Sequence, residues 1–332
     1  MSIIRKEGYN LIHTAKFYIE IEEIELGLLC RKFKEHVTML AKKIDSNFKG
    51  ITTTITNRFN QWWIFINIDF IEILGKSDIT KKDNNEIIKK INQYLFSIFG
   101  ENDKELTLIR IDYRLDAVVE NSEHRSLLIK LYKKSIEHYG FKKKYDQFDT
   151  TVYFNSKSIQ VIVYDKECER TAHLKDIKPY EEDVLRFEVR LTNRHLNYMK
   201  KACGLPKKLE YYLDNNFWLK YMKLNLLPAF FNGSFYKINI ATKIIEQSSF
   251  KERDKTRLRE FLCDISKHGF ERLKVLTVTT SNGNHKIKYS KYLIKKFIKM
   301  LEVLDINPLL IPKNYKLNLG KRKCIKNPFS HL

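Results

Sequence analysis

Apolar and polar residues alternate with a period of two over five short stretches, and this pattern predicts strands. They are Trp62–Phe70 (WWIFINIDF), Leu106–Asp116, Thr150–Asn155, Ser158–Asp165 and Val184–Leu191, all rich in β-branched and aromatic residues. Between them the spacing lengthens to that of a helix. Apolar residues recur at Ile88, Ile91, Leu95 and Ile98 within Asn85–Phe99, and at Leu128, Leu131, Tyr132 and Ile136 within Ser126–Tyr139. His195–Lys201 and Leu209–Met222 continue the helical pattern. Strands joined by hairpins as well as by helical crossovers predict an α+β fold, a mainly antiparallel sheet covered by helices.

Three of these strands place charge on one face. In LIRIDYRLD, Ile109, Ile111, Tyr113 and Leu115 point one way, and Arg110, Asp112, Arg114 and Asp116 the other. VLRFEVRL repeats this with Leu185, Phe187, Val189 and Leu191 against Arg186, Glu188 and Arg190. In QVIVYDK, Val161 and Val163 oppose Tyr164 and Lys166, with Glu169 five positions after the tyrosine. If the three are neighbours, acids, bases and a tyrosine share one surface. The plainer alternative is the solvated face of any half-exposed antiparallel strand.

Charge sharpens the choice. The 332 residues carry 61 Lys plus Arg against 40 Asp plus Glu, a net of +21, so polyanions are the natural partners. Residues 251–332 alone hold 20 basic and 7 acidic residues, a net of +13, which leaves +8 for the first 250. This shift, with the change from apolar Leu224–Ile245 to SSFKERDKTR, predicts a catalytic domain over 1–247 and a basic DNA-binding region over 248–332. That region predicts a helix at Arg257–Ser266, a β-like Leu273–Thr280, a turn at Ser281–Asn284 and a basic helix at Ser290–Leu304. On the last helix Lys295, Lys296 and Lys299 face DNA phosphates in a helix-turn-helix or winged arrangement, the alternative being an ordinary solvated helix. The tail Lys321–Lys326 (KRKCIK) reads as a loose electrostatic arm.

The longest uncharged stretch, Leu224–Tyr236, has 13 residues, short of the roughly 20 of a spanning helix. Five cysteines without a CxxC, and a start (MSIIRKEG) without an apolar run, read as reduced thiols in a cytoplasm.

The chemistry of the shared face would be phosphodiester work. Asp112, Glu169 and Glu188 are hard oxygen donors suited to Mg²⁺ or Mn²⁺. Arg110, Arg186, Arg190 and Lys166 would hold phosphates, and a nearby cation favours tyrosinate at Tyr164. Acids clustered among the bases argue against a non-catalytic origin-binding protein or repressor, which needs only bases.

The motifs occur in an order that resembles the replication initiators of rolling-circle plasmids and filamentous phages, namely the plasmid Rep_trans group and the phage gene II endonucleases. Related relaxases of integrative elements share it. Arg110–Asp112 (RID) looks like that family's Arg-x-Asp strand, and Thr151–Glu169 looks like its hairpin ending in Tyr-x-Lys-x-x-Glu. Arg186–Leu191 (RFEVRL) looks like its Arg-Phe-Glu strand, and Gly204–Pro206 (GLP) is also similar to the phage enzymes. The clear resemblance covers about residues 105–213, and a fainter similarity extends back to the strand at Trp62–Phe70.

It implies an enzyme that nicks one strand at an origin, keeps the 5′ phosphate on tyrosine and leaves a 3′ hydroxyl primer. The nucleophile then falls on Tyr164 with Lys166 beside it, and the metal set on Asp112, Glu169 and Glu188. Asp116 fits the plasmid form of the first motif, and Tyr153 on the paired strand is an accessory. No His-x-His pair is present, so carboxylates are expected to dominate metal binding, with His173 and His195 as outside candidates. The implied partners are origin duplex and single strand with a host helicase and polymerase; whether the chain acts alone or as a homodimer is left open by the sequence. A conjugative relaxase with the same chemistry is the alternative.

Overall fold

The computed structural model describes residues 12–100, 104–136, 148–315 and 324–329. The chain opens with β1 (Ile12–Ile21), α1 (Glu23–Phe33), α2 (Val37–Asp45), β2 (Ile51–Arg58) and β3 (Gln61–Asp69). There follow α3 (Phe70–Leu74), α4 (Asn84–Phe99), β4 (Thr107–Val118) and α5 (Ser122–Ile136). Next come β5 (Thr151–Asn155), β6 (Ile159–Asp165), α6 (Lys166–Ala172), β7 (Val184–Thr192), α7 (Asn193–Cys203) and α8 (Asn215–Phe230). The remainder is β8 (Phe235–Tyr236), α9 (Ile238–Glu246), α10 (Glu252–His268), β9 (Thr277–Thr279), β10 (His285–Ile287), α11 (Lys291–Val303) and β11 (Cys324–Ile325).

Seven strands form one antiparallel sheet in the order β2-β3-β1-β4-β7-β6-β5, so the α+β expectation holds. One face is apolar. Under β1 to β3 it meets α4, where the Tyr94 hydroxyl lies 2.8 Å from that of Thr53. Under β4 to β7 it meets α5 and α8: Tyr132 and Phe230 pack on Phe187, and Tyr221 stacks on Tyr113. Such a face stabilises the sheet by burial, at roughly 25 cal/mol per Å² of apolar surface.

One side-chain assignment changes. Ile109, expected in the core, is half-exposed, and Leu108 is buried instead. The register of β1 on β4 slips here, Lys16 pairing with Arg110 but Phe17 with Leu108, so one residue of β4 is extra.

The basic region contains α10, the β9–β10 hairpin and α11, close to the helices and turn expected, with α9 ending just before it; a helix-turn-helix is not established by it. The chain on either side of the 247/248 boundary shares packing. β8 pairs with β11, and Phe329 is buried against Phe187 at 4.6 Å and Phe230 at 5.9 Å. Gly233, with φ +92°, lets the backbone pass against Ile306, where a Cβ would lie 2.5 Å from the Ile306 carbonyl carbon. Phe329→Ala should therefore destabilise the sheet domain itself, by about 3–5 kcal/mol in a denaturant melt. Of the basic tail, residues 321–323 lie outside the described residues.

Candidate active site

β4, β7 and β6 are adjacent, so the three charged strands do share one face. Their register sets Asp112 opposite Arg190, Arg114 opposite Glu188, Asp116 opposite Arg186 and Arg186 opposite Tyr164. The face is far drier than a solvated strand. Asp112, Arg114, Arg186, Glu188, Tyr164 and Lys166 are all buried. Charges this deep need partners, and the partners show how the site is divided.

At its centre the Tyr164 hydroxyl donates a hydrogen bond to Glu188 Oε1 at 2.8 Å. The same oxygen lies 2.7 Å from His13 Nδ1, and the other ring nitrogen of His13 is 3.8 Å from Asp69. His13 arrives by a defect in pairing: Ile12 faces Tyr113 and Thr14 faces Asp112, so His13 is the extra residue of a bulge on β1. Burial, then the negative charge of Glu188, pushes the Tyr164 phenol well above its usual range, with Arg186 opposing. Burial also acts to raise the Glu188 carboxyl, but the charge and hydrogen bond of His13, with Arg186 and Tyr164, hold it well below the usual range. The resting site thus keeps a protonated phenol against an ionised carboxylate.

Two arginine–carboxylate pairs flank this centre. Asp116 takes both arms of Arg186, at 2.7 and 2.8 Å, with Arg114 at 3.4 Å. Asp112 takes both arms of Arg190, at 3.0 Å each, the Thr14 hydroxyl at 2.7 Å and the Arg110 Nε at 3.3 Å. Arg190 also donates to the Tyr153 hydroxyl at 3.4 Å, which brings that accessory tyrosine to the edge of the site. Arg186 is fully buried, whereas Arg110 and Arg190 keep 28% and 21% of their side chains exposed, so only the latter two reach solvent.

Lys166 begins α6 directly after β6, with its ammonium 5.8 Å from the Tyr164 ring centroid, 2.6 Å from Glu169 and 3.7 Å from Glu181. Burial, then the charge of Arg186, lowers its pKa. Glu169 bonds Lys166 and lies 3.9 Å from His173, outside the central face. His195 bonds the Tyr221 hydroxyl at 2.6 Å, a packing role. On α11, Lys295 and Lys299 are exposed and Lys296 pairs with Asp254 at 2.8 Å.

The donors assigned to Mg²⁺ or Mn²⁺ are therefore occupied by protein: Asp112 by Arg190, Arg110 and Thr14, Glu169 by Lys166, Glu188 by His13 and Tyr164. Among the described residues no three His, Cys, Asp or Glu side chains are grouped to hold a metal ion. As arranged, the set does not fit a cation.

Comparison with known families bears on residues 74–216. They match the family model Phage_CRI, which describes the N-terminal part of a replication-associated protein. The match is to a rolling-circle replication initiator family. It runs from the end of α3 to the start of α8 and includes every strand that carries Asp112, Tyr164 and Glu188; it begins earlier than the clear motif resemblance and stops short of the fainter similarity at Trp62–Phe70. The matched segment excludes β1 to β3, so His13, Thr14 and Asp69 complete the site from outside it. No curated protein and no solved structure matches the chain. Among the described residues no helix is long and apolar enough to cross a membrane.

His13, Thr14 and Asp69 were not singled out by the sequence. A signal for the first two was present: Ala15, Phe17, Ile19 and Ile21 alternate with Lys16, Tyr18 and Glu20, which marks Ile12–Ile21 as a strand of the same kind.

Proposed function

We propose that this protein starts rolling-circle replication by cutting one strand at an origin with Tyr164 and holding the 5′ phosphate as a phosphotyrosyl ester. The observation that carries this reading is the 2.8 Å hydrogen bond from the Tyr164 hydroxyl to Glu188, a general base within reach of a nucleophile, inside the initiator segment.

In the forward step the phenol oxygen forms a bond to phosphorus, its proton passes to Glu188, and the bond from phosphorus to the 3′ oxygen breaks. The phenol grows more acidic as its oxygen bonds to phosphorus, so a transfer that is uphill at rest becomes favourable in the transition state. Lys166, beside the ring and lowered in pKa, supplies the proton that the departing 3′ oxygen needs. Arg110 and Arg190, the exposed members of the arginine group, hold the phosphates on either side. The ester retains the energy of the broken bond, and reversal joins the strand. The free 3′ hydroxyl is the end from which a host polymerase would extend, with a helicase opening the duplex. Exposed Lys295 and Lys299, within the +13 of residues 251–332, add sequence-independent duplex affinity.

The test is to incubate the protein with supercoiled DNA of its own replicon, with Mg²⁺, with Mn²⁺ and with EDTA, and to look for a nick bearing protein. EDTA-resistant nicking would assign neutralisation of the phosphate to Lys166 and the arginines, and EDTA-sensitive nicking would require Asp112 to exchange Arg190 for the cation. A protein that binds the origin and forms no adduct under any condition is a binding protein and contradicts the proposal.

His13 touches Glu188 and acts through it, a positioning role. His13→Gln should lower the nicking rate constant roughly 10- to 100-fold. It should also move the acid limb of the pH–rate profile upward, because the group that holds the Glu188 carboxyl low is removed. An unmoved profile would reduce His13 to packing.

A further inference from the structure

The polar face of the sheet continues past the tyrosine centre onto β1 and β3, and its chemistry changes there. By register, Lys16 and Tyr18 of β1 lie beside Asn67 and Phe65 of β3, with Trp63 next in line opposite Glu20. The parity that points Ala15, Phe17 and Ile19 into the core sends Tyr18, Trp63 and Phe65 to the outer face. All three rings are half-buried, and they pack on each other. Tyr18 and Trp63 have centroids 4.8 Å apart, and Trp63 and Phe65 lie nearly parallel, 12° apart at 6.2 Å. Two cations border them. The Lys16 ammonium is 5.1 Å from the Phe65 centroid, and the Lys207 ammonium is 6.0 Å from that of Tyr18. Lys207 follows the Gly204–Pro206 turn, and its carbonyl accepts from the Leu108 amide at 2.8 Å, which pins that loop to β4.

Aromatic rings on the polar face of a sheet, edged by lysines, suit a ligand that is flat and apolar in its rings and anionic along its length. A duplex hides its base faces; an unpaired strand exposes them. The strip is also continuous with the site: Tyr18 is four residues along β1 from Thr14, which bonds Asp112, a span of about 14 Å. At the tip of the β2–β3 hairpin, beyond Trp63, Phe59 is fully exposed with φ 52°, a backbone conformation unfavourable for a bulky residue.

We infer that Tyr18, Trp63 and Phe65, with Lys16 and Lys207, form a platform on which bases of single-stranded DNA next to the cut stack while the lysines hold their phosphates. The inference rests on the reading of the site as one that acts on DNA. It assigns the stacking of an unpaired strand to β1 and β3, outside the family match, with Lys207 alone contributed from within the matched residues.

The test uses the full chain and a short fluorescent oligothymidylate that contains no cut site, read by anisotropy. A Trp63→Ala, Phe65→Ala double variant should bind it roughly 10- to 100-fold more weakly than the wild type, with affinity for a duplex of the same length unchanged within about twofold. Circular dichroism establishes that the variant is folded, and a folded variant with wild-type affinity for the single strand overturns the platform. If the double variant does not fold, photocrosslinking of the wild-type protein to an iodouracil-substituted oligonucleotide decides: adducts at Tyr18, Trp63 or Phe65 support the platform, and adducts confined to other residues overturn it. Binding is read without cleavage, so a failure of the tyrosine chemistry and a failure of the platform give different results.

Discussion

Tyr164→Phe should abolish the covalent protein–DNA adduct and cut nicking by roughly 10⁴-fold or more, as loss of a nucleophile that no neighbour replaces does in other covalent enzymes. Single-strand and duplex binding should stay within a few-fold. The substitution removes only the hydroxyl, and the ring keeps its place on β6 between Arg186 and Lys166. One buried hydrogen bond is lost, worth about 1 kcal/mol, and Glu188 keeps His13 as a partner, so the fold should survive. Gel analysis of adducts beside an anisotropy titration checks both halves. Undiminished adduct formation would move the nucleophile elsewhere, with Tyr153, 3.4 Å from Arg190, the nearest candidate on the same face.

The second large effect is on stability. Asp116→Ala should destabilise the protein by about 3–5 kcal/mol, because it strands the fully buried Arg186 guanidinium without its bidentate partner. Asp116→Ala combined with Arg186→Met should recover part of that loss in a denaturant melt, since Arg186 is then no longer left charged and alone, while buried Arg114 still lacks its carboxylate. The sign with pH follows from the same pair. Burial acts to raise the Asp116 carboxyl, and Arg186 and Arg114 more than reverse it, leaving its pKa at about 2 against about 3.9 in an unfolded chain. The unfolded state therefore takes up the proton first as pH falls. The pair's contribution is complete above about pH 5 and fades between about pH 4 and pH 2, and the Asp116→Asn protein should show a flatter acid limb. A wild-type melt identical to that of Asp116→Ala would mean that the pair contributes nothing to the fold.

Strand placement was legible because it depends on alternation, a local property. β3, β4, β5, β6 and β7 lie where the pattern puts them, and the polar face follows from parity. What the face does with its charges was not legible, because that depends on which strand lies beside which. Arg186 and Asp116 are far apart in sequence and read as a phosphate ligand and an accessory acid; register pairs them and seals them from solvent. Asp112 and Glu188 read as metal ligands, yet the bulge at His13 and the fork of Arg190 occupy them first. The core role of Phe329 is a long-range contact that no window of sequence contains.

The most direct test of the account is to identify the amino acid that holds the 5′ phosphate. Trypsin should release Ser158–Lys166 (SIQVIVYDK), in which Tyr164 is the single tyrosine. After reaction with an origin oligonucleotide and nuclease trimming, mass spectrometry should find this peptide carrying the residual nucleotide. The same modification on the neighbouring tryptic peptide that contains Tyr153, or on any other tyrosine peptide with Ser158–Lys166 unmodified, would contradict the central claim.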